Sequence, residues 1–369
     1  MKICLFYHSV ISDWNHGNAH FLRGVISALL EKNHTVKVFE PADGWSLRNL
    51  IDQNGSGTLD AFRQYFPDHM PEFYRIDQFD PSQVLPDADL VLVHEWNDPD
   101  LVKAIGDYKA SHDHFTLLFH DTHHRSVTNP AEMTKYDLRH YDGVLVFGEV
   151  LKDIYRKNNW AKNVWSWHEA ADTTIFHSIV NTEKEGDLVW IGNWGDDERT
   201  EELQEFILRP VKELGLKAVF YGVRYPPHAL QLLEDAGIEY KGWVANYLVP
   251  RVFSKYRVTV HVPRRPYVRN LPGIPTIRPF EAMASGIPLV CSPWDDSEKL
   301  FTEGEDYLLA KNGDEMKIHL LRIIQEQKFA DRLAAHARQT INRRHTCFHR
   351  VEELLQIAAE IEKRNVIPK

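Results

Sequence analysis

The chain has 369 residues, 43% hydrophobic and 26% charged, enough for two cores of ordinary domain size and too much for a single small binding module. Its 43 Lys and Arg stand against 53 Asp and Glu, and a net charge of −10 argues against broad nucleic-acid binding, which needs a basic surface to neutralise phosphates. No run approaches the roughly 20 consecutive apolar residues that cross a bilayer, and Cys4, Cys291 and Cys347 are too few and too widely spaced for a disulfide framework.

In chain order, KICLFYH (2–8) reads as a buried strand, since its apolar stretch is too short for a secretory leader. A helix from Asn18 then places Phe21, Leu22, Val25, Ile26, Leu29 and Leu30 on one face, and HTVKVFE (34–40) returns as a second strand. Residues 43–89 read as an irregular insertion, with helical fragments at Leu47–Ile51 and Leu59–Tyr65 and then a Pro-rich stretch. Runs 89–95, 114–120, 143–148 and 163–168 are four more strands with helices between them. Periodicity lapses over the polar run 177–187, where a domain boundary is expected. Alternation restarts with strands at 187–192, 217–222, 238–242, 257–262 and 287–292 and helices near 197–214, 227–236, 246–255 and 277–285. From Met316 to Lys363 the pattern is almost wholly helical, and Val351, Leu354, Leu355, Ala358 and Ile361 mark the last apolar stripe. The fold class expected is α/β, two doubly wound Rossmann-like domains facing across a cleft.

Open α/β sheets gather ligands beyond the carboxyl ends of their strands, beside helix N-termini that attract anions. After the first strand, SVISDWNHGNAHF (9–21) places His16 and Gly17 just ahead of a helix, where Gly17 allows close ligand approach or simply makes a tight turn. WIGNWGDDERT (190–200) sets Gly192, Asn193 and Gly195 before Arg199 without the full G-x-G-x-x-G spacing, so no nicotinamide fingerprint is present. In LPGIPTIRPFEAMASGIPLVCS (271–292) Thr276 is the expected N-cap of a short helix ended by Gly286. Arg278 there can clamp a diphosphate, and Glu281 can accept hydrogen bonds from ribose hydroxyls. The plainer alternative is an exposed Arg and a Glu favoured by the helix dipole.

IRPFEAMASGIPLVCS, the GNW turn with Arg199, GWVANYLVPRVFSKYRVTVHV (242–262) and HGNAHFLRG (16–24) resemble the GT-B glycosyltransferases. Among these the chain is most similar to the CgeB-like group related to the family 4 glycosyltransferases. The resemblance spans nearly the whole chain and is strongest over 187–310. Family 4 members carry two glutamates with seven residues between them; Glu281 matches the second, while Gly273 stands where the first is expected. The resemblance implies an acceptor-binding N-terminal domain (1–176), a donor-binding C-terminal domain (187–345) and a C-terminal helix (346–369) that crosses back to the first.

FHDTHHRS (119–126) follows a strand of the first half; His120 and Asp121 are the catalytic candidates, and related enzymes carry a His here against the donor sugar. A metal reading of His120, Asp121, His123 and His124, with His112 and His114 nearby, matches no ligand template, and the resemblance implies no metal or other cofactor. Glu169 and Asp172, or Trp96 in HEWNDPD (94–100), would line the acceptor side beside His16; Asp172 otherwise caps the next turn. Lys241, Gly242 and Trp243 end a strand where a nucleotide base could rest, with core packing the alternative for Trp243.

The expectation is thus a cytoplasmic, metal-independent glycosyltransferase that moves a sugar from a nucleotide-sugar donor, a UDP-sugar, to an acceptor the sequence does not name: glycan, small molecule or protein. Retention of configuration is favoured, and neither nucleic acid nor a stable membrane contact is expected as partner; residues 43–89 hold three basic side chains against nine acidic ones. The alternatives are a nucleotide-sugar 2-epimerase, which needs no acceptor, and a non-catalytic sugar-nucleotide-binding protein, suggested by Gly273.

Overall fold

Strand propensity and helical period sort the chain into two parallel sheets. The computed structural model describes residues 1–180 and 183–366; within the expected boundary and the expected C-terminal helix, positions 181–182 and 367–369 lie outside the described residues. Two compact units result: unit 1 is Met1–Glu169 together with the chain from Cys347 onward, and unit 2 is Ala170–Thr346. The first division falls at Glu169/Ala170 rather than within 177–187. The amide of Ala171 donates to the carbonyl of His345 at 2.9 Å, and Ala171 bridges Thr346, which fastens residues 170–176 to unit 2.

In unit 1 the strands are β1 (Lys2–Phe6), β2 (Thr35–Pro41), β3 (Glu72–Tyr74), β4 (Leu90–His94), β5 (Thr116–Asp121), β6 (Gly143–Val146) and β7 (Val164–Ser166). All are parallel, in the order β3-β2-β1-β4-β5-β6-β7. β4 and β5 are buried along their full lengths, which explains why they read as unbroken apolar runs: helices cover both faces of a parallel sheet. Helix Ala19–Glu31 buries Phe21, Leu22, Val25, Ile26 and Leu29. Helix Cys347–Val366 packs against it through Val351, Leu354, Ala358 and Ile361. The fully buried Trp167 donates its indole N–H to the Arg350 carbonyl at 2.7 Å, and the Arg350 Nε returns a bond to His168 O at 2.9 Å. The 43–89 insertion contains helices Trp45–Asn54 and Gly57–Tyr65, and it also supplies β3, a three-residue edge strand too short to show a period.

Unit 2 has β8 (Leu188–Ile191), β9 (Ala218–Tyr221), β10 (Glu239–Tyr240), β11 (Val258–His261), β12 (Leu289–Cys291) and β13 (Leu308–Leu309), all parallel in the order β10-β9-β8-β11-β12-β13. Its core joins Leu188, Trp190, Val258, Val260 and Val290 of the sheet to Leu203, Ile207, Val211, Leu320 and Ile323 of the helices. The helix expected from 197 starts at Thr200, because Gly195, Asp196 and Asp197 all take positive φ. It widens into a π turn at Gln204–Leu208 just before Pro210, whose missing N–H cannot continue the regular ladder. The 246–255 helix resolves into a 3-10 turn, Asn246–Leu248, and the short helix Val249–Phe253. Helix Arg265–Asn270 and β13 are additional. The C-terminal helical tract is three helices, Gly313–Gln325, Gln327–Arg344 and Cys347–Val366. Among the described residues no helix is long and apolar enough to cross a membrane, and the three cysteines are buried thiols.

Candidate active site

Each sheet reverses its strand order once, between β1 and β4 and between β8 and β11. Beyond the carboxyl ends of strands at such a reversal lies the crevice that open α/β sheets offer to ligands. The sequence-predicted residues fall at these two places, and each unit is taken by itself.

In unit 2 the loops after β8, β9 and β10 are stitched together. Asn193 Oδ1 accepts the Val223 amide at 2.9 Å, and the Gly222 amide donates to Gly242 O at 2.8 Å. A Cβ on Gly222 would lie 2.1 Å from the Gly192 carbonyl oxygen, so glycine is required at this crossing. Arg199 donates to Val262 O at 2.8 Å and to the carbonyl of Asn193, with its guanidinium 5.0 Å from the Trp190 ring centroid. It therefore holds the β8 loop against the end of β11. Lys241 is exposed, 3.4 Å from Glu239, and Trp243 is half-buried.

Helix Ile277–Ser285 opens at the same crevice. Thr276 occupies the N-cap position, but its φ of 61° turns the hydroxyl from the helix amides and it makes no cap bond, contrary to the expectation from its residue type. Its Oγ1 lies 3.4 Å from His261 Nε2 instead. Gly286 ends the helix in the left-handed region, as expected. Arg278 ion-pairs with the fully buried Glu281, whose Oε1 accepts Asn246 Nδ2 at 2.7 Å. Burial, then the Arg264 and Arg278 guanidiniums, pull the Arg199 pKa down to about 9. Burial, then Arg199 and Arg278, pull His261 down to about 3. The depressed Arg199 and His261 mark a crowded neighbourhood of guanidiniums at a helix N-terminus, with Arg264 paired to Glu198 at 3.2 Å, and such a terminus favours an anion. His261 and Arg264 were missed in the sequence; His261 is 3% exposed and its Nδ1 has no hydrogen-bond partner. At Gly273 (φ 87°) the side chain of Glu298 occupies the space above the backbone, its Oε1 2.7 Å from where a Cβ would sit.

In unit 1 the ends of β1, β4 and β5 bring together four buried histidines, His8, His16, His94 and His120. Ring centroids are 3.9 Å apart for His8 and His16, 5.7 Å for His8 and His94, and 5.2 Å for His94 and His120. Burial leads in holding all four below the ordinary imidazole range, His8 and His120 at about 3. Four neutral rings can share one site without charge repulsion. His94 Nδ1 accepts the Trp96 amide at 3.4 Å, so its Nε2 carries the proton and donates to Thr122 Oγ1 at 3.0 Å. His16 Nε2 donates to Ser9 O at 3.1 Å. His120 is wedged between Trp167 and Phe21, and neither of its ring nitrogens has a hydrogen-bond partner.

Asp121 is fully buried, accepting the His123 amide at 3.0 Å and the Tyr155 hydroxyl at 2.8 Å, and burial raises its pKa to about 6. Both oxygens are occupied in shaping the turn after β5. Trp96 is half-buried beneath the Arg125 guanidinium, 4.4 Å from its ring centroid, and Arg125 pairs with the buried Glu95. Gly17 lies exposed on the turn before helix Ala19–Glu31, in unit 1. Glu169 is buried at the end of the first segment of unit 1. Asp172 Oδ1 accepts the Thr174 amide at 3.1 Å, a turn cap. His112 and His114 sit away from this cluster, bonded to Tyr108 O and Leu85 O. Among the described residues no three His, Cys, Asp or Glu side chains converge as a metal site.

The β1 loop is held from outside. Glu40 on β2 accepts the Ser9 hydroxyl at 2.9 Å and the Val10 amide at 2.8 Å, while Arg23 donates to the carbonyls of Val10 and Ile11, each at 2.7 Å, and pairs with Asp13 at 3.0 Å.

Residues 199–356 match the family model described as glycosyl transferase-like. No curated protein matches the chain in sequence. Solved structures do match in fold. Sucrose-phosphate synthase from Thermosynechococcus elongatus superposes with a TM-score of 0.64 at 13% identity, over 99% of this chain and 100% of its own. An alpha-glucosyltransferase in complex with UDP reaches 0.69 at 10%, over 97% and 100%. Anabaena HepE in complex with UDP-glucose gives 0.67 at 13%, over 98% and 100%. The likenesses define the fold as GT-B, two Rossmann-like domains. Within that fold, residues 199–356 carry the glycosyl transferase-like domain.

Proposed function

We propose that the chain transfers a glycosyl group from a UDP-sugar, held by unit 2, to an acceptor hydroxyl held by unit 1. The observation that carries this reading is the cationic neighbourhood of Arg199, Arg264 and Arg278 at the N-terminus of helix Ile277–Ser285. As the bond from the anomeric carbon to the diphosphate breaks, charge builds on the leaving oxygen, and these guanidiniums and the helix amides meet it without a metal. Structures of the same fold hold UDP or UDP-glucose, which supports uridine as the base. Glu281 is placed to receive ribose hydroxyls once Arg278 turns to phosphate, and Glu298 stands beside Gly273 as the carboxylate facing the transferred sugar.

In unit 1, His120 acts on transfer rather than on donor binding, while Asp121 positions the turn that carries Thr122 and His123. With both Asp121 oxygens engaged, the departing phosphate takes the acceptor proton, which is the retaining course. Three buried free thiols and an acidic chain suit a cytoplasmic protein that handles neither nucleic acid nor membrane. UDP raises the melting temperature by mass action, and Arg278→Ala weakens UDP binding by about tenfold or more, the scale of one charge-assisted contact. Unchanged affinity in Arg278→Ala would remove the proposed donor site. Activity abolished by chelator and restored by a divalent ion would overturn metal independence, and conversion of the donor to an epimer without acceptor would favour the epimerase.

A further inference from the structure

The loop after β1 holds a side chain that the fold leaves chemically unfinished. His8 is 4% exposed, and neither of its ring nitrogens has a hydrogen-bond partner. Around it stand two indoles. Trp45 stacks on the imidazole at 6.0 Å and 15°, Trp96 lies 5.9 Å from it, and the two indoles meet at 6.4 Å and 62°. Both tryptophans are half-buried, so they form a rim and His8 the floor. Nothing in the sequence singled out His8, which reads there as the polar end of an apolar strand.

We propose that His8, Trp45 and Trp96 form the subsite of unit 1 that takes a neutral sugar ring as the acceptor; this rests on the glycosyltransferase reading above. A neutral imidazole offers one N–H and one lone pair. A polyol satisfies both, since each hydroxyl donates and accepts. A phosphate or carboxylate only accepts, and would leave the lone pair unmet. The charged groups packed around the ring are matched already: Arg125 with Glu95, Arg23 with Asp13, and Glu40 with Ser9 and the Val10 amide. A charged acceptor would therefore be buried without a counter-charge. The C–H faces of a pyranose suit aromatic walls, which supply apolar area with little entropy to lose.

The test titrates the intact protein, with and without UDP, with glucose, galactose, mannose and N-acetylglucosamine, and with glucuronate and glucose 6-phosphate as charged comparators. Binding is read by calorimetry and tryptophan fluorescence, and the same sugars are then offered as acceptors with UDP-glucose. At least one neutral sugar binds and is glycosylated, and its charged analogue binds about tenfold more weakly or worse, the scale of one unmet polar group. His8→Leu and Trp96→Ala each weaken that sugar by about tenfold or more while the UDP-induced melting shift remains, and His8→Asn recovers part of the loss. If His8→Leu fails to fold, Trp96→Ala and Trp45→Ala carry the test. UDP binding with no neutral sugar bound, or sugar binding that none of these variants affects, overturns the proposal and leaves the donor site standing. Absence of UDP binding instead overturns the donor reading, and the sugar titration without UDP still decides this one.

Discussion

Replacing His120 by leucine should stabilise unit 1 while lowering turnover. The ring lies 4.8 Å from Trp167, 5.9 Å from Phe21 and 5.2 Å from His94, fully buried, with two nitrogens that bond to nothing. An unmet buried polar group costs about 1–3 kcal/mol, and leucine fills a similar volume without that cost, so a gain of about 1 kcal/mol at pH 7.5 is expected after some loss of packing. The pH adds a second signature. Burial depresses the folded pKa to about 3, against roughly 6.5 for the unfolded chain. The unfolded state therefore binds a proton that the folded state refuses, and stability present above the unfolded pKa is lost as pH falls. At pH 5 the wild type has lost about 2 kcal/mol through this one ring, whereas leucine loses nothing. Groups common to both proteins cancel in the difference. Hydrogen exchange of the β5 amides reads unit 1 alone, which matters because unfolding of a two-unit chain need not be two-state. A variant less stable than wild type at pH 7.5, with a difference that stays flat down to pH 5, would refute the reasoning.

Glu40→Gln gives the opposite pH signature in the same unit. Burial raises Glu40 to about 7, so the folded state holds a proton that the unfolded state releases, and wild-type stability falls by about 3 kcal/mol as pH rises from 4.5 to 7; the penalty of the glutamine should shrink by about that amount between pH 5 and 8, read by denaturant titration of both proteins. Gly222→Ala would drive a methyl to 2.1 Å from Gly192 O; it should destabilise unit 2 by about 1–3 kcal/mol and weaken UDP binding through the displaced β8 loop, and a normal melting temperature with normal affinity would show that the loops can part.

The sheets were legible because β4, β5 and β8 are buried from end to end, and an apolar run needs no partner to be recognised. β3 and β13 were not, since three and two residues carry no period. Helix Ile277–Ser285 was visible from its stop at Gly286, but the direction of the Thr276 hydroxyl depends on a positive φ that residue type does not reveal. The cluster of His8, His16, His94 and His120 was hidden for a topological reason. Two are eight positions apart and the others more than seventy further along, and they meet only because β1, β4 and β5 are neighbours in the sheet. Arg199 follows a strand where the sequence offers a ligand-binding cation, yet its bonds go to backbone carbonyls, a use indistinguishable in sequence from ligand binding. That a carboxylate 25 residues downstream, Glu298, lies over Gly273 could not be read without knowing that the two loops touch.

The returning helix Cys347–Val366 sets the order in which a ribosome can complete this protein. Strands β1 to β7 emerge first, but Trp167 finds its carbonyl partner only when Arg350 has been made, and helix Ala19–Glu31 waits for the same helix to cover it. The whole of unit 2 is synthesised in between and can close on itself meanwhile. First-made is thus last-finished, an inversion of the usual N-terminal-first sequence, and the nascent unit 1 spends most of translation with an open apolar face. Chaperones that hold such surfaces have a long window in which to act, and a truncation that removes the helix Cys347–Val366 would damage the half of the molecule that was made first.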